Sequence, residues 1–139
     1  MFAALPLLTL TVLIYNGVVA TIPQGFKSPL AQDRMLQELF SIPTASGGYW
    51  PVSLGDLLVF ASLLILFIEL LKSTTSRHVA IINHSLSMIL FIVCLVEFLL
   101  FRAFATSAFF LITTMVLLDV LAGFIVTIVA SRRDIDMTG

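Results

Sequence analysis

The chain has 139 residues, is 60% hydrophobic and only 11% charged, and carries a formal net charge of −1; its mean hydropathy is +1.14. Soluble globular proteins are far less apolar, so a water-soluble domain is excluded and a single membrane domain is expected. There is no basic block for nucleic acid, and with one cysteine, Cys94, an intrachain disulfide or a paired-cysteine metal site is excluded.

Residues 2–22, FAALPLLTLTVLIYNGVVATI, form the first apolar run. A secretory leader has a positive start and a shorter apolar core, whereas no Lys or Arg precedes this run, so it reads as a retained first span. Pro6 falls in its opening turns, where proline is tolerated, and Asn16 is placed to hydrogen-bond another helix. The only sizeable polar segment follows, over 23–53. Ser28-Pro29 signals a helix start and Pro43 a stop. Between them Ala31, Met35, Leu36, Leu39, Phe40 and Ile42 share one half of a helical wheel, opposite Asp33, Arg34, Gln37, Glu38 and Ser41. The pattern predicts an amphipathic helix over 29–42 in the membrane interface, touching lipid through Leu36, Leu39 and Phe40; the alternative is a docking helix for a partner subunit. Tyr49 and Trp50 precede the next span, where interfacial aromatic belts sit.

The second span is expected over 54–72. Asp56 lies in its first turn, where the helix dipole favours a carboxylate, and Glu69 is spaced from Lys72 so that an ion pair can form. The third span is expected over 79–101, with His84 near its start and Glu97 near its end, where Glu97 can pair with Arg102. A short turn then leads to the fourth span, 106–130, and a tail over 131–139. No internal repeat and no β pattern competes with this count.

Asp119 sits near the middle of the fourth span. Placing an aspartate there costs about 2.5–3.5 kcal/mol, and each surrounding Leu, Ile, Val or Phe returns about 0.3–0.6, so the helix still inserts, with Asp119 turned toward protein. Steps of four from Asp119 give Gly123, Thr127 and Ser131, a small and polar stripe expected to face protein. Asp119 lies about 20 Å from either end of its helix, beyond the reach of any Lys or Arg, and a hydroxyl such as Ser87 is its expected neighbour. The short segments holding Lys72, Arg77, Arg132 and Arg133 share one side of a four-span topology, which sets that side and both termini as cytoplasmic.

Asn16, Glu69, His84, Ser87, Glu97, Asp119, Gly123 and Thr127 are read first as packing contacts between helices. The competing reading makes Asp119 and Glu97 part of a path in a small homo-oligomeric proton- or cation-coupled transporter or channel. Small multidrug transporters have a similar size and four spans, but they carry their essential glutamate in the first helix, where this chain has no acid. Haem would need a second histidine from a partner, because only His84 is placed inside a span, so neither haem nor quinone is expected. His84 is instead expected to clamp Glu69 or Asn83 by a hydrogen bond. Cys94 has no adjacent base and Ser73–Ser76 is a turn, so no catalytic or metal site and no enzyme is expected.

The blocks GDLLVFASLLILFIELLKST (Gly55–Thr74), VEFLLF (Val96–Phe101) and ATSAFFLITTMVLLDVLAGFIVTIVASRRD (Ala105–Asp134) resemble those of small four-span inner-membrane proteins of alphaproteobacteria, over nearly the whole chain. The resemblance implies a bacterial inner-membrane location and brings no activity or catalytic residue with it. The expected protein is thus an all-α integral membrane four-helix bundle with one interfacial helix, surrounded by membrane lipid. Its expected role is that of a non-catalytic accessory or assembly subunit, docking through its helices on a larger membrane complex, respiratory or photosynthetic among the candidates, or on copies of itself.

Overall fold

A computed structural model describes residues 5–72 and 77–139, with side chains of the second stretch described from residue 81 onward. Residues 2–4 of the expected first span, the turn expected at 73–76 and the side chains of Arg77, His78 and Val79 lie outside the described residues. Helix α1 (Leu8–Ala20) is followed by a 3-10 turn at Gly25–Lys27 and the short helix α2 (Ala31–Leu36). An antiparallel hairpin of β1 (Glu38–Pro43) and β2 (Tyr49–Ser53) leads into three long helices, α3 (Leu54–Lys72), α4 (Arg77–Leu100) and α5 (Ser107–Thr138). These three are long and apolar enough to cross a membrane, and α1 is a shorter apolar helix. Helix α5 is central: α4 and α3 both pack along it, and α1 touches both α3 and α5.

The main departure from the sequence reading lies in residues 29–42. Only Ala31–Leu36 is helical, and Gln37 leaves the helical conformation. Leu39 and Phe40 belong to β1, and Tyr49 and Trp50 to β2, so the segment expected to be an interfacial helix is mainly a hairpin. An isolated helix of a few turns is marginal, whereas the hairpin brings Phe40 opposite Val52 and Ile42 opposite Trp50. Those four side chains alternate with Ser41, Pro43, Tyr49 and Pro51 at the period of a strand. The turn closes through Thr44 N–H donating to the Gly48 carbonyl at 2.9 Å, with Gly47 at φ +83°, a left-handed conformation that glycine adopts without strain.

Helices α1 and α5 also differ in extent. Helix α1 has 13 residues, about 20 Å, in place of the expected 2–22. It begins only after Pro6, and it closes in a tightened turn where the Thr21 and Ile22 N–H groups donate to Val18 and Val19 before Pro23. Helix α5 runs on through the expected 131–139 tail to Thr138, because no glycine or proline follows Gly123 until Gly139. The start of α3 is fixed by a reciprocal cap. Asp56 Oδ2 accepts from the Ser53 N–H (2.9 Å) and Oγ (2.7 Å), while Ser53 Oγ accepts from the Asp56 N–H (3.2 Å).

The most tightly buried contacts lie where α1 meets the start of α5. Tyr15, Phe104 and Phe109 are fully buried, with Tyr15 ring centroids 5.5 Å from Phe104 and 4.7 Å from Phe109. The Tyr15 hydroxyl donates to the Ala103 carbonyl (3.1 Å) and shares a 2.5 Å hydrogen bond with Thr106 Oγ. Thr106 is in turn the N-cap of α5, accepting from the Phe109 N–H. One hydroxyl therefore ties the middle of α1 to the cap of the central helix. Tyr15→Phe should keep the packing yet lose about 1–2 kcal/mol of unfolding free energy in a detergent or bicelle titration.

Candidate functional site

Three helices bring a layer of polar side chains into the apolar interior. From α3 come Glu69 and Lys72, from α4 Asn83, His84 and Ser87, and from α5 Asp119 with Gly123 beside it. Asn83 and Ser87 are one turn apart and continue as a buried stripe through Leu90 and Cys94, the side of α4 that faces α5. The Ser87 hydroxyl donates to Asp119 Oδ2 at 2.5 Å, with both residues buried, as a short bond to a carboxyl oxygen should be.

Glu69 is fully buried, and its Oε2 accepts from the Leu7 backbone N–H at 2.6 Å. That N–H is one of the donors a helix start leaves without an intrahelical acceptor, so a carboxylate of α3 caps α1 across the interface between them. The placement also sets a negative group at the positive end of the α1 dipole. Lys72 completes the arrangement, with Nζ 3.7 Å from Glu69 Oε1 and donating to the Leu5 carbonyl at 3.1 Å. The Glu69–Lys72 pair expected from the spacing is present, and its geometric role is to anchor the start of α1.

His84 does not make the hydrogen-bond clamp expected of it. Both ring nitrogens are buried without a hydrogen-bond partner among the described residues, as are Asn83 Oδ1 and Thr113 Oγ1. The ring lies directly on α5: a Cβ placed on Gly123 would stand 2.3 Å from His84 Nδ1 and 2.8 Å from Cγ. The edge of Phe124 meets it with a centroid distance of 4.4 Å. Gly123 is therefore a notch cut to the imidazole. Thr127, expected on the same protein-facing stripe, is exposed, and its hydroxyl returns to the Gly123 carbonyl at 2.9 Å. Ser131 is likewise exposed, its hydroxyl returning to the Thr127 carbonyl at 2.9 Å.

A second polar contact lies nearer the hairpin end of the bundle. Asn16 Nδ2 donates to Glu97 Oε2 at 3.4 Å and to the Val12 carbonyl at 3.0 Å, so Glu97 is engaged by α1 and not by Arg102. Glu97 and Ser87 are ten positions apart on α4, about 15 Å, which separates Glu97 from the Asp119 layer. Among the described residues no group of three or more His, Cys, Asp or Glu side chains is arranged to hold a metal ion. Sequence reasoning placed Asn83 only as a partner for His84, which it is not, and passed over the Leu7 N–H, since backbone donors leave no sequence signal.

Comparison with known proteins finds no matching family model, no similar curated protein and no similar solved structure.

Proposed function

We propose that the chain is a non-catalytic accessory or assembly subunit of a larger membrane complex, seated in a bacterial inner membrane as a four-helix bundle. The observation that carries this reading is the use of the intramembrane carboxyl groups: Asp119 is bound by Ser87, Glu97 by Asn16 and Glu69 by the Leu7 N–H. Each joins two helices, which is a structural use of a group that is expensive in lipid. Outward, α3 and α4 present leucine, isoleucine and phenylalanine to their surroundings, a surface suited to lipid or to the helices of another subunit. Both termini are assigned to the cytoplasmic side. The Leu5 carbonyl meets Lys72, so the chain enters α1 beside the last turn of α3, and α5 runs toward that same end, with Phe110 beside Phe98, Asp119 beside Ser87 and Gly123 beside His84. At about 20 Å, α1 needs the residues before Leu8, or local thinning of the bilayer, to complete a span.

The test is recovery from native membranes in nanodiscs, with mass spectrometry of what accompanies the chain. Stoichiometric co-purification with a membrane complex is expected. Asp119→Asn should leave that assembly intact, because asparagine still accepts from Ser87, and should cost only about 0.6 kcal/mol, the usual worth of an interhelical hydrogen bond in a membrane protein.

The second reading, a homo-oligomeric proton- or cation-coupled transporter or channel, draws support from the buried partnerless atoms of Asn83 and His84 beside Asp119. It requires flux in reconstituted vesicles that Asp119→Asn abolishes. Recovery of the wild-type chain as a stable monomer without partners would count against the subunit reading.

A further inference from the structure

The hairpin stands off from the first turns of α3 and leaves an apolar groove of about 470 Å³ between them. Phe40, Ile42 and Trp50 line it from the hairpin, and Leu57, Phe60 and Leu63 form its α3 side. These α3 residues are spaced at i, i+3 and i+6, so they follow one face of the helix. That face is open: Phe60 is 60% and Leu63 50% exposed. The groove is thus continuous with the side of α3 that a bilayer would cover, and its lining matches a hydrocarbon chain.

One end of the groove is different. Asp56 lines it and is held by Ser53 through Oδ2 alone, which leaves Oδ1 without a hydrogen bond among the described residues. Glu38 pairs with that same Ser53 across the hairpin, so a second exposed carboxylate stands near the Asp56 end of the groove. Arg34, on α2, donates to the Gln37 amide oxygen and is not among the groove residues. An acyl chain lying along Leu57, Phe60 and Leu63 would bring its headgroup to the Asp56 end. The carboxylates there attract an ammonium group and repel a headgroup of net negative charge, and the Trp50 face adds a cation–π surface for the same ammonium.

We propose that the groove between the hairpin and α3 is a binding site for one phospholipid of the surrounding bilayer, an aminophospholipid whose acyl chain lies against Phe60 and Leu63 and whose ammonium meets Asp56 and Glu38. The site depends on the membrane placement proposed above and is independent of the accessory role.

Trp50 is the only tryptophan in the chain, and it lines the groove, so its fluorescence reports occupancy without labelling. The full chain is placed in nanodiscs of a neutral phosphatidylcholine background, and small mole fractions of chain-brominated phosphatidylethanolamine or phosphatidylglycerol are introduced. Quenching by the brominated phosphatidylethanolamine should exceed that by the brominated phosphatidylglycerol, with a two- to fivefold preference, about what one exposed ion pair supplies. Asp56→Asn keeps an oxygen for the Ser53 cap and should remove most of that preference; Glu38→Gln, outside α3, should reduce it independently. Equal quenching by both lipids at their mole fractions would overturn the site, since the bilayer would then be acting only as solvent. So would a Trp50 that neither lipid reaches, which is the result expected if a protein partner covers the groove. Failure of the chain to enter nanodiscs would refute the membrane placement instead, and is read separately from the protein recovered in the lipid fraction.

Discussion

Gly123→Ala should destabilise the bundle by about 1–3 kcal/mol, the usual penalty for an inserted methyl group in a packed interior. The effect is large for so small a change because the new Cβ has no space: it would lie 2.3 Å from His84 Nδ1, and the ring also packs against Phe124. Either α4 and α5 move apart or the imidazole leaves its place. A second substitution distinguishes this steric account from a loss of backbone flexibility. His84→Ala removes the obstacle, so Gly123→Ala made in a His84→Ala background should cost much less than in the wild type. A reversible unfolding titration of the four proteins in mixed micelles gives the coupling, which should reach about 1 kcal/mol or more. Additive losses would show that the notch does not govern how closely the two helices approach.

Glu69→Ala should be the most damaging single change in α3. It removes the acceptor for the Leu7 N–H and the anion beside Lys72 in one step. Breaking a buried pair costs about 3–5 kcal/mol, and the lower end applies because Lys72 keeps 23% of its side-chain exposure. Glu69→Gln retains an acceptor for Leu7 and should lose less. The two variants also separate by location: hydrogen exchange in the first turn of α1 should rise sharply in Glu69→Ala, while Tyr15 and the start of α5 stay protected. A uniform rise throughout the bundle would mean that α1 is not held by its own cap.

How the sequence foretold this arrangement depends on the range of each signal. Residues 54–72 read as a span because an uninterrupted apolar run with an acid in its first turn has few other solutions, and α3 occupies those residues. Ser87 beside Asp119 was legible for a similar reason, since a carboxyl group far from every cation has only hydroxyls to turn to. The hairpin was not legible, because Phe40 and Ile42 satisfy both a helical wheel and a strand alternation, and the choice is made by Trp50 and Val52, which lie beyond the window in which periodicity is read. The Gly47-Gly48 pair was the missed turn signal. The stripe through Thr127 failed differently: stepping by four shows which residues share a face of α5 and says nothing about how far along that face a neighbour packs. His84 was misread because its place is set by the absence of a side chain at Gly123, which a search for hydrogen-bond partners does not detect.

The unbroken course of α5 has a mechanical consequence. Its 32 residues make a rod of about 48 Å, longer than the roughly 30 Å of a hydrocarbon core, so one end must protrude or the rod must lean. Thr106, which joins it to Tyr15, and Arg132 and Arg133 near its other end belong to a single stiff body with no glycine or proline beyond Gly123 to act as a joint. The lean of the rod is therefore set where α4 meets it, at Asp119 under Ser87 and at Gly123 under His84.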